Sequence, residues 1–142
     1  MSPAPAMQTF RILLIDDNDA DVYLLRRALQ KAGLAIELTV LKDGAEGLAF
    51  ARGEDESARR PDLVVLDLNL PGSGGAEVLR AMKGNPALAL VPVVVMSSSA
   101  SKAEQAVIAQ LGVAKYLTKP PDLAGFMKVG EMFRKVLLHG IQ

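Results

Sequence analysis

Four short apolar segments of this chain each end at a residue whose side chain is acidic, basic or a hydroxyl. Asp16 and Asp17 follow the first segment, while Asp67, Ser97 and Lys119 follow the next three in order. Apolar runs of about four or five residues between turn signals are typical of strands buried on both faces of a parallel sheet. Because the ligand site of such a sheet lies beyond the carboxyl ends of its strands, we expect these side chains to share one pocket.

Three clustered carboxylates repel one another unless a cation joins them or the pKa of one of them is strongly raised. The chain has no Cys and a single His, which lies far along the sequence from the acidic residues. Ligation by oxygen alone favours Mg²⁺, which typically binds one or two carboxylates, several waters and a phosphate oxygen. The sequence therefore predicts a Mg²⁺ site at this pocket.

Segments with helical periodicity separate the apolar runs. The first helix is predicted to be capped by Asn18 or Asp19 and carries Val22, Leu25 and Leu29 on its apolar face. A segment of period two at 36–40 predicts an edge-like strand, and further helices are predicted at about 43–50, 74–83, 102–111 and 122–138. Strand and helix alternate five times, which predicts an α/β fold with a doubly wound parallel sheet.

Composition limits the class of protein. The 142 residues are 50% hydrophobic, as in one compact domain, with little room for a second output domain. Sixteen basic residues balance sixteen acidic ones, so charge gives no reason to expect nucleic acid or an anionic membrane as partner. Residues 1–8 are predicted to form a Pro- and Ala-rich arm of uncertain order, and 9–142 the domain. The absence of Cys, of a signal segment and of a membrane-spanning run predicts a cytoplasmic protein.

The acidic pair, Asp67 within AspLeuAsnLeuProGly, the later Ser97 and the Lys119-Pro120 pair together resemble the receiver domain of two-component response regulators. Each motif alone is common, but all of them occur in order and at strand ends. The resemblance extends from Phe10 to the last predicted helix. It implies a single flavodoxin-like (βα)5 domain with a parallel five-stranded sheet of order 2-1-3-4-5.

The resemblance also implies roles for individual residues. Asp67 would accept a phosphoryl group, Lys119 would place its ammonium on a phosphoryl oxygen, and Ser97 would donate its hydroxyl to another oxygen. Tyr116 aligns with the aromatic residue that turns inward when this hydroxyl moves, with a buried amphipathic Tyr as the alternative. The family's only chemistry would be self-phosphorylation and autodephosphorylation, so the protein is not expected to be an enzyme acting on other substrates.

The metal ligands implied by the resemblance are the side chains of Asp16, Asp17 and Asp67 and the backbone carbonyl of Asn69. Helix capping is an equally good explanation for Asp17 when the acidic pair is considered alone. The family's Lys-Pro peptide bond is commonly cis, which predicts a cis bond between Lys119 and Pro120.

Two surfaces are candidates for partner binding. The outer face of the first helix is predicted to present Ala20, Leu24 and Arg27, and receivers dock the phosphodonor domain of a sensor histidine kinase on the corresponding face. The last helix carries more apolar residues than one core-facing stripe requires, which predicts a homodimer, with a broad core stripe as the alternative.

The segment from Leu13 to Leu29 and the long connector at 53–60 are similar to those of single-domain regulators that partner bacterial phytochromes. The resemblance therefore implies a stand-alone response regulator of a phosphorelay. Two alternatives belong to other classes. A Mg²⁺-dependent phosphatase with an Asp nucleophile would need a second Asp where this chain has Asn69, and a receiver-like module that is not phosphorylated would keep the fold alone.

Overall fold

The computed structural model describes residues 8–54, 59–71, 74–98 and 102–139. Within these ranges strands and helices alternate as β1 (Thr9–Ile15), α1 (Asp19–Lys31), β2 (Ala35–Leu41), α2 (Gly44–Ala51), β3 (Leu63–Asp67), α3 (Gly75–Lys83), β4 (Val93–Ser97), α4 (Lys102–Ala109), β5 (Lys115–Thr118) and α5 (Leu123–His139). The predicted alternation is confirmed, and the element boundaries differ from the predictions by no more than a few residues.

The five strands form one parallel sheet of order β2-β1-β3-β4-β5, as predicted, with β2 at one edge. Their carboxyl ends lie side by side. Ile15 is level with Leu66, Asp67 pairs with Met96, and Ser97 pairs with Thr118. Residues that end or follow neighbouring strands therefore meet at one edge of the sheet.

Helices cover both faces of the sheet, so each central strand buries both sets of alternating side chains. On one face Leu13 and Ile15 pack in a core shared with α2, α3 and α4. On the other face Ile12 and Leu14 pack in a second core shared with α1 and α5. This two-sided burial explains why the strands are continuous apolar runs rather than alternating ones.

Asn18 begins α1. Its side-chain oxygen accepts hydrogen bonds from the backbone N–H of Ala20 at 2.9 Å and of Asp21 at 3.2 Å, which selects it over Asp19 as the cap. Gly33 follows the end of the helix with φ +82°, a left-handed conformation that glycine adopts without strain. The cap sets the rotation of α1 and so decides which first-turn side chain lies over the strand ends.

Helix α5 packs closely against α1. A Cβ atom at Gly130 would lie 2.6 Å from the carbonyl oxygen of Ala28, so only glycine permits this approach. Phe126, Val129 and Phe133 are buried in the second core. Much of the apolar surface predicted for dimerisation on the last helix therefore belongs to the core, and its exposed large apolar residues among those described are Leu123 and Leu138.

Three further predictions bear on backbone and boundaries. No cis peptide bond occurs among the described residues, so the prediction of a cis Lys119-Pro120 bond is wrong for this structure. Most of the predicted N-terminal arm, 1–7, and the middle of the connector, 55–58, lie outside the described residues. Among the helices that the structure describes, none combines the length and apolar character needed to cross a bilayer.

Candidate functional site

The ammonium group of Lys119 lies at the centre of a carboxylate cluster. Its Nζ is 2.6 Å from Asp21 Oδ2, 2.9 Å from Asp67 Oδ2 and 3.4 Å from Asp16 Oδ2. Asp16 and Asp67 are buried, and the side chains of Lys119 and Asp21 are mostly shielded from solvent. An ammonium has three N–H donors, so each can be directed at one carboxylate.

The strand ends place these groups. Asp16 directly follows β1, and its Oδ1 accepts the backbone N–H of Asn18 at 2.8 Å. Asp67 is the last residue of β3, and its Oδ1 accepts the backbone N–H of Asn69 at 2.9 Å. Such turns, in which Asp bonds the backbone two residues on, hold the second carboxylate oxygen toward the pocket. Lys119 follows β5, and its N–H donates to the Ser97 carbonyl at 2.8 Å.

The third carboxylate of the cluster is Asp21, which was not among the site residues predicted from the sequence. Oxygens of Asp16, Asp21 and Asp67 all lie within 4.8 Å of one another, whereas the neighbouring Asp17 is exposed. The N-cap residue is the sequence feature that points to Asp21. With Asn18 as N-cap, Asp21 is the third residue of the helix, and its backbone N–H donates to the Asn18 side chain. An acidic residue in the first turn of a helix that follows a strand ending at the site is therefore a candidate site residue.

Burial and charge shift two pKa values in the cluster. Burial, supported by the negative charges of Asp67 and Asp21, raises the pKa of Asp16 to about 7, against the opposing effects of the Asn18 N–H and Lys119. Burial alone would lower the pKa of Lys119, but hydrogen bonds with Asp21 and Asp67 and the charge of Asp16 outweigh it and raise that pKa. One ammonium thus does not fully compensate three carboxylates, and the site has an excess of negative charge.

We expect the contribution of Asp16 to the stability of the metal-free protein to fall as the pH rises from about 4 to about 7. The pKa of Asp16 is about 7 in the folded protein and 3.8 when unperturbed, so between these values the folded state binds more protons. The contribution of Asp16 to stability is therefore fully present below the lower value and is lost as the pH rises through the higher one, by at most about 4 kcal/mol. Urea denaturation with a chelator, at intervals across this range, measures the loss.

The matched variant for this experiment is Asp16→Asn, which keeps the shape of the side chain and cannot ionise. Its free energy of unfolding should depend less on pH than that of the wild type over the same interval. Parallel pH profiles for the two proteins would contradict the assignment of the shifted pKa to Asp16.

A second group of polar side chains adjoins the cluster. Ser97, the last residue of β4, is buried, and its Oγ is 3.5 Å from Asn69 Nδ2, which donates more closely to Ser98 Oγ at 3.1 Å. Tyr116 is half-buried, and its hydroxyl donates to Glu104 Oε1 at 3.1 Å. The predicted switch residues thus lie together, and Glu104 was not selected from the sequence.

The outer face of α1 differs in part from its prediction. Ala20 and Arg27 are exposed, but Leu24 is half-buried against the second core and is a poor anchor for a partner. Tyr23, which was not among the residues predicted for this face, is 58% exposed. The Arg27 guanidinium lies 5.8 Å from the centre of the Tyr23 ring, so the two form an exposed cation–π pair.

Comparison with known families agrees with this fold. Residues 12–129 match the family model of the response regulator receiver domain. The chain therefore belongs to the receiver domain family of response regulators, as its motifs indicated.

Its similar proteins include phytochrome response regulators. Response regulator Rcp1 of Synechocystis sp. is 40% identical over 120 residues, which are 83% of this chain and 82% of Rcp1. The crystal structure of the phosphorylated cyanobacterial phytochrome response regulator RcpA matches with a TM-score of 0.85 at 34% identity, over 95% of this chain and 98% of that one. The Mn²⁺-bound form of Rcp1 matches with a TM-score of 0.83 at 36% identity, over 94% of this chain and 97% of that one.

The donor atoms of the cluster fit a hard divalent cation. All side-chain donors are carboxylate oxygens, and their separations allow several to reach one ion. The raised pKa of Asp16 shows that additional positive charge would be favourable there. An acidic pocket that binds a divalent cation is also a property of the receiver family.

Proposed function

We propose that Asp67 accepts a phosphoryl group from a sensor histidine kinase and that the resulting charge changes the surface of the protein. The observation that carries this proposal is the placement of the buried Asp67 carboxylate at the end of a central strand, 2.9 Å from the Lys119 ammonium. A buried carboxylate with one cationic partner is positioned both to attack a phosphoryl group and to have the added charge neutralised.

In the proposed reaction an Asp67 oxygen attacks the phosphorus in line with the leaving group. The new O–P bond forms as the bond from phosphorus to the donor nitrogen or oxygen breaks. Lys119 neutralises charge on a phosphoryl oxygen, a task that suits a flexible ammonium because it needs no bidentate geometry. The Ser97 hydroxyl donates a hydrogen bond to another phosphoryl oxygen once the group is in place.

The proposed metal is Mg²⁺, which would supply further neutralisation of the phosphoryl charge. Asp16, Asp67 and the backbone carbonyl of Asn69 are its proposed ligands. Asp17 remains a proposed ligand, but its side chain is exposed beside the cluster, whereas Asp21 lies within it. The Mn²⁺-bound form of the similar protein Rcp1 supports a divalent cation without specifying Mg²⁺.

The proposed partner is a histidine kinase of the bacterial phytochrome type, because RcpA and Rcp1 are similar over nearly the whole chain. We propose that it docks on the outer face of α1, where Ala20 and Arg27 are exposed, and that both proteins meet in the cytoplasm. Co-purification with a candidate phytochrome kinase, compared between the wild type and Arg27→Ala, identifies the surface. An interaction of equal strength in both would assign docking to another face.

Phosphoryl uptake tests the proposed function directly. Purified protein given acetyl phosphate or phosphoramidate should gain the mass of one phosphoryl group when Mg²⁺ is present and none when it is chelated. The product should be stable in acid and labile in base, as an acyl phosphate is. Absence of uptake would support a receiver-like interaction module, and multiple turnover of a small phosphomonoester would support a phosphatase.

We also propose a homodimer at micromolar concentration, strengthened by phosphorylation. Leu123 and Leu138, which are 45% and 46% exposed, are the large apolar residues of α5 that are exposed among those described, and they are available for this contact. Light scattering with and without beryllofluoride, a phosphoryl mimic, measures the mass. A mass equal to one 15.1 kDa chain in both conditions would rule the dimer out.

A further inference from the structure

One carboxylate beside the pocket contacts both hydroxyl groups of the proposed switch. Glu104 lies in the first turn of α4, and its Oε1 accepts a hydrogen bond from the Tyr116 hydroxyl of β5 at 3.1 Å. The same oxygen is 3.4 Å from the Oγ of Ser97 at the end of β4. The contact therefore joins three elements, β4, α4 and β5, at the edge of the pocket.

Donation by the Ser97 hydroxyl to Glu104 and donation by the same hydroxyl to a phosphoryl oxygen exclude one another. A serine hydroxyl has one proton to donate. The Ser97 side chain is fully buried, so when its proton is directed to Glu104, or to the Tyr116 hydroxyl with which it also hydrogen-bonds, it is not available to a phosphoryl oxygen. A phosphoryl group on Asp67 would bring a second anion that needs the Ser97 hydroxyl, so one of the two anions must give it up.

We propose that Glu104 stabilises the unphosphorylated conformation by accepting the hydroxyls of Ser97 and Tyr116, and that capture of Ser97 by the phosphoryl group releases α4 from this contact. The inference rests on the proposed function and deepens it, because it names the group from which the phosphoryl group takes Ser97. Glu104 is a positioning residue in this scheme, since it acts through Ser97 and Tyr116 and does not contact the phosphoryl group.

The chain offers a direct spectroscopic readout of the contact. It has two tyrosines and no tryptophan, so Tyr23→Phe, at an exposed position, leaves Tyr116 as the only tyrosine. Burial raises the pKa of the Tyr116 hydroxyl, a hydrogen bond with Ser97 opposes the rise, and the hydrogen bond and charge of Glu104 add to it. Removing the charge at Glu104 should therefore be visible at Tyr116.

The first test uses Glu104→Gln in the Tyr23→Phe protein, without any phosphoryl group. We expect a lower pKa for Tyr116, followed by the ultraviolet absorbance of tyrosinate, and stronger tyrosine fluorescence at neutral pH because a quenching carboxylate is removed. The control is Glu77→Gln, which removes the same charge from an exposed position in the first turn of α3 and should change neither signal. Unchanged absorbance titration and fluorescence in Glu104→Gln would overturn the inference.

The second test measures beryllofluoride binding at saturating Mg²⁺, with Tyr116 fluorescence as the signal. Because a charged acceptor no longer competes for Ser97, Glu104→Gln should bind about three- to tenfold more tightly than the Tyr23→Phe parent, and Glu77→Gln as tightly as the parent. Equal or weaker binding by Glu104→Gln would overturn this inference alone. A parent that binds no beryllofluoride at all would overturn the proposed function, and this inference with it.

Discussion

Asp67→Asn is expected to fold normally and to take up no phosphoryl group from acetyl phosphate, phosphoramidate or a phosphorylated kinase. An amide oxygen keeps the size of the side chain and its hydrogen bond with the Asn69 N–H, but it is not a nucleophile toward phosphorus. The loss should be complete in intact-mass measurements, whereas thermal unfolding should remain cooperative. Losing one of three carboxylates around Lys119 also relieves repulsion, so no large destabilisation is expected.

Asp19→Asn is the matched control for this experiment. Asp19 lies at the start of α1 and, like Asp67, pairs with a lysine, Lys42 at 2.9 Å, but the side chains of Asp19 and Lys42 are largely exposed. Its phosphoryl uptake should equal that of the wild type. Labelling of Asp67→Asn at the wild-type level would place the acceptor on another residue and refute the site.

Lys119→Ala is expected to have two large effects, on stability and on switching. In a chelator it leaves the buried carboxylates of Asp16 and Asp67 without their ammonium partner. Removing one partner from a buried ion pair typically costs about 3–5 kcal/mol, and protonation of the remaining acid limits this cost. Urea denaturation at pH 8 should therefore show strong destabilisation, with a smaller effect at pH 5, where Asp16 binds a proton in the folded protein.

The control for stability is Lys42→Ala, because the exposed Lys42 and Asp19 are well solvated and their ion pair should contribute little. Added Mg²⁺ should restore much of the stability of Lys119→Ala, since a cation replaces the missing charge. Equal stabilities of the two lysine variants in chelator would show that Lys119 does not neutralise the buried carboxylates.

The effect of Lys119→Ala on switching is separate from its effect on stability. With Mg²⁺ present the variant should still accept some phosphoryl group on Asp67, because the nucleophile remains. It should fail to change its affinity for a partner or its dimerisation, because the phosphoryl group lacks the ammonium that holds it. A phosphoryl group brings about −1.5 to −2 charges, and without Lys119 that charge has one fewer fixed partner. A phosphorylated variant that switches like the wild type would refute this role.

Local sequence determined the architecture and the strand-end residues of the site. Few folds other than a doubly wound parallel sheet accommodate continuous apolar runs that alternate with helical segments. The reason is that crossover connections are right-handed and parallel strands must be covered on both faces. Once the strands are parallel, their carboxyl ends lie together. The convergence of Asp16, Asp67 and Lys119 follows from that rule alone, without knowledge of any side-chain conformation.

Tertiary structure decided which helical side chains join these strand-end residues at the site. The rotation of α1, set by its cap and by the close approach of α5 at Gly130, brings Asp21 into the pocket and turns Leu24 toward the core, while Asp17, in the turn before the helix, is exposed. A helical wheel gives only the relative directions of the side chains, which differ by about 100° between successive residues. It does not give the rotation of the whole helix about its axis, because packing against another helix fixes that angle. The contact of Glu104 with Tyr116 has the same origin, since it joins residues of α4 and β5 whose meeting depends on how the helix sits against the sheet.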